Sequence, residues 1–169
     1  MFNLLISKEL GLNTLKEIIN HYSKSSINVL TIEDQYDSRS RFQDIINTCK
    51  KNNILPTISF SKDDTHNFLL SNKDNFTIVA CWYQLILLKT LTELEKPIVG
   101  IHNSILPKFR GGSPLVWTIL SGEKHFGYSV FEISEGLENF IESNGVINLI
   151  IGIPKTGLDN KDKALIEAI

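Results

Sequence analysis

Residues 100–138 read GIHNSILPKFRGGSPLVWTILSGEKHFGYSVFEISEGLE, and the opening of this stretch decides the fold. An apolar segment, Ile98 to Ile101, delivers a histidine at His102. A loop with Pro107 and the pair Gly111-Gly112 follows at once, and Pro114 opens a helix. A buried strand, a reactive side chain and a loop pinned by Pro and Gly place a functional group at the carboxyl end of a strand. Ligands of open α/β sheets gather there.

Working outward, the same alternation recurs. Asn3 to Ile6 is an apolar run, and Gly11 is followed by Leu12, Leu15, Ile18 and Ile19 at helical spacing, which reads as strand, turn, helix. Ile27 to Ile32 predicts a second strand, and Ser40 predicts the cap of a helix through Lys51. Ile54 to Phe60 is a third strand candidate weakened by Pro56. Phe68 to Leu70 falls in a short helix, Phe76 to Cys81 is a strand covered on both faces, and Leu85 to Leu94 is a helix. After the loop, Gly122 stops the helix opened by Pro114, Tyr128 to Ile133 and Val146 to Ile151 are strands, and Asn160 caps a last helix to Ile169. Strands alternating with helices predict an α/β, Rossmann-like, mostly parallel sheet with helices on both faces.

Composition narrows the function classes. The 169 residues carry 17 basic and 19 acidic side chains, and no basic run exceeds Lys50-Lys51, so no electrostatic footprint for nucleic acid is expected. Cys49 and Cys81 stand apart from any metal-ligand spacing, so no metal site is read, and with no signal peptide they read as reduced thiols. No apolar run approaches the length of a membrane span. The expectation is a cytoplasmic chain with no membrane partner.

The stretch around His102 resembles the signature of the N10-formyltetrahydrofolate-dependent formyltransferases, roughly N-I-H-x-S-L-L-P-x-Y-R-G-x-x-P followed by G-L-D-x-G. The resemblance runs from Phe76 to Glu138, and earlier residues are similar only in layout. It implies a single formyltransferase-type catalytic domain over residues 1–169 with no added C-terminal barrel, and it leaves a C-terminal truncation open. It also implies N10-formyltetrahydrofolate as co-substrate. By the same resemblance His102 is the catalytic histidine, Glu138 stands at the family's aspartate, and Ala80 to Ile86 is the pterin-binding segment. Gln84, Leu85 and Ile86 would be its contacts, with Leu137 lining the other side, and Leu106 belongs to the loop under the reacting centre.

The chemistry explains why such groups are needed. An amine attacks a formyl carbonyl, an oxyanion develops and wants donors, and a base must take the amine proton. Residues i and i+2 of a strand share a face, so the family's asparagine and histidine reach one carbonyl. Here Gly100 replaces that asparagine, and Phe140 replaces a glycine two residues after Glu138. Asn103 is the candidate substitute donor if the turn swings its amide inward, and an ordinary turn asparagine if it does not. Arg39 and the amino terminus at Ser40 read as a solvated loop with a cap, with a phosphate site as the rival.

Within the family, L-G-L-N-T-L after the first strand departs from the G-S-N-L-Q turn of the glycinamide ribonucleotide enzymes. The chain looks most like enzymes that formylate the amine of a nucleotide-linked amino sugar for cell-surface glycans such as lipopolysaccharide. The expected partners are therefore a folate and an amino-sugar nucleotide, with a homodimer left open. The rival reading is a degenerate homologue that binds folate or sugar nucleotide without useful catalysis. The carboxyl ends of the strands finishing at Cys81, His102 and Ile133 are expected to line one cleft.

Overall fold

A computed structural model describes residues 1–133 and, as backbone, the strand at 147–154. The chain divides into two compact units, Met1–Ile98 and Val99–Ile169.

The first unit is built on four parallel strands in the order β3-β2-β1-β4: β1 (Phe2–Ile6), β2 (Ile27–Ile32), β3 (Thr57–Ser59) and β4 (Phe76–Ala80). Apolar runs specify these strands because both faces are covered, and Leu4, Leu5, Ile6 and Leu30 are fully buried. Each such side chain contributes about 1.5–3 kcal/mol on burial. Connecting them are α1 (Lys8–His21), α2 (Phe42–Lys51), α3 (Lys62–Leu70) and, after β4, α4 (Leu88–Glu93). A cluster of amides closes the amino-terminal end of the sheet. Buried Asn3 donates to the Asn72 carbonyl at 3.0 Å and accepts from Asn28 and Asn75 at 3.3 and 3.1 Å.

Several boundaries differ from the sequence reading. No turn separates β1 from α1: only Ser7 intervenes, and Gly11 lies inside the helix. A Cβ on Gly11 would meet that of Ile6 at 2.9 Å, so close packing of the helix on its strand requires the glycine. β3 has only three residues because it cannot begin until Pro56 is passed. Arg41, not Ser40, stands at the N-cap of α2 and makes no side-chain cap bond; Ser40 lies one residue earlier, its hydroxyl accepting from the Phe42 N–H at 3.2 Å. α4 begins at Leu88, three residues later than expected, since Leu85 to Leu87 stay in a loop.

In the second unit β5 (Ile98–His102, its first residue from the preceding unit) is followed by α5 (Pro114–Leu120), β6 (His125–Glu132) and β7 (Ile147–Pro154). Here the pairing is antiparallel, with His102 opposite Ser129, Gly100 opposite Phe131 and Val99 opposite Glu132. The expectation that strands end together at His102 and Ile133 is corrected by this pairing. The carboxyl end of β6 lies beside Val99 and Gly100, about three residues or roughly 10 Å back along β5 from His102. The last helix expected at Asn160 to Ile169 falls outside the described residues.

Candidate active site

The parallel strands of the first unit bring four carboxyl-terminal segments to one sheet end. Ser7 donates its N–H to the Ala80 carbonyl at 3.2 Å and its hydroxyl to the Cys81 carbonyl, tying the end of β1 to the end of β4. Cys81 and Lys8 both sit in left-handed backbone, at φ 56° and 57°, a conformation that costs non-glycine residues about 1–3 kcal/mol and collects at functional sites. Lys8 is held by Asp34 and Asp37, each at 2.5 Å, and its ammonium lies 5.8 Å from the centre of the Tyr83 ring. Burial works to lower the Lys8 pKa, but the hydrogen bonds its ammonium donates to the two carboxylates outweigh it and hold the pKa raised. Asp37 is drawn well below the usual carboxylate range by Arg39 first and Lys8 second.

Those pairings decide between the readings of the Arg39–Ser40 segment. Arg39 donates to both Asp37 oxygens at 3.1 and 3.0 Å, and Ser40 donates to Asp34 at 2.5 Å. The loop already satisfies its own charges, which favours the solvated, capped loop over a phosphate site.

The segment expected to hold a ligand, Ala80 to Ile86, is the last residue of β4 and most of the loop at 81–87. Leu85 is exposed, Ile86 and Gln84 are half-buried, and the Trp82 indole N–H is buried without a partner among the described residues. The Gln84 carboxamide is held from behind, its Oε1 accepting from Ser59 at 3.0 Å and Thr65 at 2.8 Å. Flat apolar lining beside a few fixed polar groups suits a heterocycle.

In the second unit His102 is half-buried at the end of β5, its ring meeting Phe131 edge-to-face at 6.4 Å between centroids. The His102 Nε2 lies 3.0 Å from the carbonyl oxygen of Phe109. A carbonyl only accepts, so Nε2 carries the proton and Nδ1 keeps the lone pair in the neutral ring. That tautomer leaves Nδ1 able to take a proton. Phe109 itself is left-handed at φ 54°, so a strained loop aims the carbonyl that sets the tautomer.

A serine that sequence reasoning missed fixes the rest of the loop. Ser129, fully buried on β6, accepts from the Leu106 N–H at 3.0 Å and donates to the Ser104 carbonyl at 2.8 Å. Ser104 in turn donates to the Lys108 carbonyl at 2.7 Å. Only the cross-strand register with His102 reveals this role, because serine in a strand carries no signal of its own. Leu106 is buried, and its peptide bond to Pro107 is cis. Asn103 is half-buried, and its Oδ1 has no hydrogen-bond partner among the described residues. Arg110 is exposed and makes no ion pair among the described residues.

Gly100 is explained by its neighbour across the strand pair. A Cβ at this position would stand 2.7 Å from Cζ of Phe131 and 3.2 Å from Cδ1 of Ile133. The Phe131 ring thus takes the volume that an asparagine would need. Leu137 and Glu138 lie outside the described residues.

Comparison with known proteins adds to this geometry. The model of the formyl transferase family matches residues 4–139. The methionyl-tRNA formyltransferase of Finegoldia magna is 24% identical over 161 residues, covering 92% of this chain and 49% of that protein. The chain therefore spans about half the length of that relative, and less of others. Among solved structures, phosphoribosylglycinamide formyltransferase from Bacillus halodurans aligns with a TM-score of 0.72 at 18% identity, covering 99% of this chain and 87% of the other. An N-formyltransferase from Helicobacter canadensis, in complex with folinic acid and dTDP-3-aminofucose, aligns with a TM-score of 0.64 at 16% identity over 90% of this chain and 52% of its own.

Proposed function

The chain belongs to the formyl transferase family, and from that premise we propose that it moves a formyl group from N10-formyltetrahydrofolate to the amine of a nucleotide-linked amino sugar. The observation that carries the reading is the 3.0 Å contact of His102 Nε2 with the Phe109 carbonyl at the end of β5, which in the neutral ring leaves the lone pair on Nδ1. In the proposed step the acceptor nitrogen attacks the formyl carbon and a carbon–nitrogen bond forms. His102 Nδ1 takes the proton that the amine sheds, the bond from the formyl carbon to N10 breaks, and N10 is protonated as tetrahydrofolate leaves. The Cys81–Leu87 loop is assigned to the pterin, with Gln84, Leu85 and Ile86 as its contacts. Asn103 and Glu138 are assigned to the oxyanion and the proton path.

The acceptor assignment is supported by the Helicobacter canadensis complex with a dTDP-linked amino sugar. The match to a methionyl-tRNA formyltransferase makes an aminoacyl-tRNA the competing acceptor. A second reading, a folate binder without useful turnover, is favoured by Phe131 filling the space above Gly100. Losing one oxyanion donor costs roughly 10²–10³ in rate.

One experiment tests both. Purified protein is incubated with 10-formyltetrahydrofolate and a panel of dTDP-, UDP- and GDP-linked amino sugars, and the product is followed by mass. The expected result is a formylated sugar nucleotide, with turnover lowered about 10²-fold or more in His102→Ala. Formyl transfer to methionyl-tRNA alone, offered beside the panel, would move the acceptor assignment to the tRNA, and transfer neither to it nor to the panel, alongside tight folate binding, would support the non-catalytic reading instead.

A further inference from the structure

Two hydroxyls outside the loop assigned to the pterin determine how its glutamine is presented. Ser59 ends β3 and Thr65 lies in the first half of α3, each about 1% exposed. Their hydroxyls stand 3.1 Å apart and both reach Gln84 Oε1, at 3.0 and 2.8 Å. A carboxamide oxygen has two lone pairs, and each hydroxyl has one proton to give. With both donated to Oε1, the acceptor is saturated and the Gln84 –NH2 is the end left for anything else. The Ser61 carbonyl competes for the Ser59 proton at 3.0 Å and lies farther from the Thr65 hydroxyl, at 3.4 Å, so Thr65 at 2.8 Å is the firmer donor to Oε1 and a single such donor already leaves –NH2 as the free end.

The same helix also braces the far end of the loop. His66, the residue after Thr65, places Nδ1 2.8 Å from the hydroxyl of buried Thr90 in α4. The Thr90 N–H closes on the Leu87 carbonyl at 2.8 Å. Consecutive residues of α3 therefore hold residues 84 and 90, and the five residues between them, including exposed Leu85, are fixed at both ends.

We propose that Ser59 and Thr65 are positioning residues that hold the Gln84 carboxamide with its –NH2 outward as a hydrogen-bond donor to the carbonyl-bearing face of a pterin. This inference rests on the assignment of residues 81–87 to folate. The donor is presented in advance, so its rotamer entropy is not lost when ligand binds. Removing one hydroxyl frees the carboxamide to rotate and leaves Oε1 short of a partner. The expected effect is weaker binding of the heterocycle with little change in the chemical step.

The test is the dissociation constant of folinic acid, read by quenching of tryptophan fluorescence in wild type, Thr65→Val, Thr65→Ser and Ile45→Val. Thr65→Val keeps the shape and deletes the hydroxyl, and Thr65→Ser restores it. Ile45→Val destabilises the same unit at a fully buried position in α2, remote in sequence from the loop. Thr65→Val should raise the dissociation constant about threefold to tenfold, the range of one net hydrogen bond. Thr65→Ser should return to within about twofold of wild type, and Ile45→Val should not move it despite a lower melting temperature. With an acceptor in hand, KM for the folate should rise by the same factor while kcat stays within about twofold. Unchanged binding in Thr65→Val overturns the inference, as does equal weakening in Thr65→Ser. Wild type that fails to bind folinic acid overturns the folate assignment itself, and this inference falls with it.

Discussion

A single methyl group added at Gly100 measures how firmly β5 and β6 are matched. The new Cβ would arrive 2.7 Å from Phe131 Cζ, 3.1 Å from Cε1 and 3.2 Å from Ile133 Cδ1, against ordinary contact beginning at 3.4 Å. The ring must therefore retreat by about 0.7 Å, the difference between 3.4 and 2.7 Å. It is not free to do so at no cost, because the same ring also meets His102 edge-to-face. Overpacking of this kind costs about 1–3 kcal/mol. Replacing glycine in a strand returns about 0.5–1 kcal/mol of that. Gly100→Ala should therefore destabilise the wild-type chain by about 1 kcal/mol in urea unfolding. In a Phe131→Leu background the main obstruction is gone, leaving the 3.2 Å approach to Ile133 Cδ1 and the strand term, so the same substitution should stabilise by up to about 0.5 kcal/mol. The reversal of sign is the critical result. Stabilisation by Gly100→Ala in wild type, or additivity of the two substitutions within about 0.5 kcal/mol, would refute the reasoning. The corollary is that Gly100→Asn cannot restore a donor beside His102 unless residue 131 is made smaller at the same time.

Other outcomes can be stated more briefly. Ser129→Ala strips a buried bridge and leaves the Leu106 N–H without its acceptor, so unfolding free energy should fall by about 1–3 kcal/mol, and residues 104–108 should lose hydrogen-exchange protection. Lys8→Met leaves Asp34 and Asp37 facing each other without the shared cation; a lower denaturant midpoint is expected, and an unchanged midpoint would mean the carboxylates are solvated after all. Burial pushes the Cys49 thiol from 9.0 up to about 11. The unfolded thiol thus ionises first, and the stability Cys49 contributes is full below pH 9 and is lost as pH rises toward 11. Cys49→Ala should flatten that part of a stability–pH curve.

How much of this was legible in the sequence depended on whether the cause was local. The run from Ile27 to Ile32 reproduces β2 to the residue, because a strand buried on both faces needs only consecutive apolar side chains. His102 was legible as the end of a strand followed by a loop. Leu85 to Leu87 read as the start of a helix because their spacing is helical. They remain a loop, the segment anchored through Gln84 by hydroxyls 19 and 25 residues away. Gly100 was visible as an anomaly, but Phe131 could not be identified as its complement until the strand register was known. The antiparallel pairing of β6 was hidden for the same reason, since apolar alternation carries no direction.

The partner that fixes the His102 tautomer is a main-chain carbonyl and not a side chain. That choice has a consequence for how the protein can be probed and how it can drift. Every amino acid at position 109 supplies the same oxygen, so replacing Phe109 residue by residue would leave the bond formally intact as long as the chain kept its path. A survey by alanine replacement would report the position as tolerant and pass over it. What the site requires there is a trajectory of the backbone, held by Ser104 and Ser129, and selection acting on it would be written in those serines and in the left-handed turn before Arg110. Changes in loop length between Ser104 and Pro114 would silence the histidine while leaving every chemically active side chain in place.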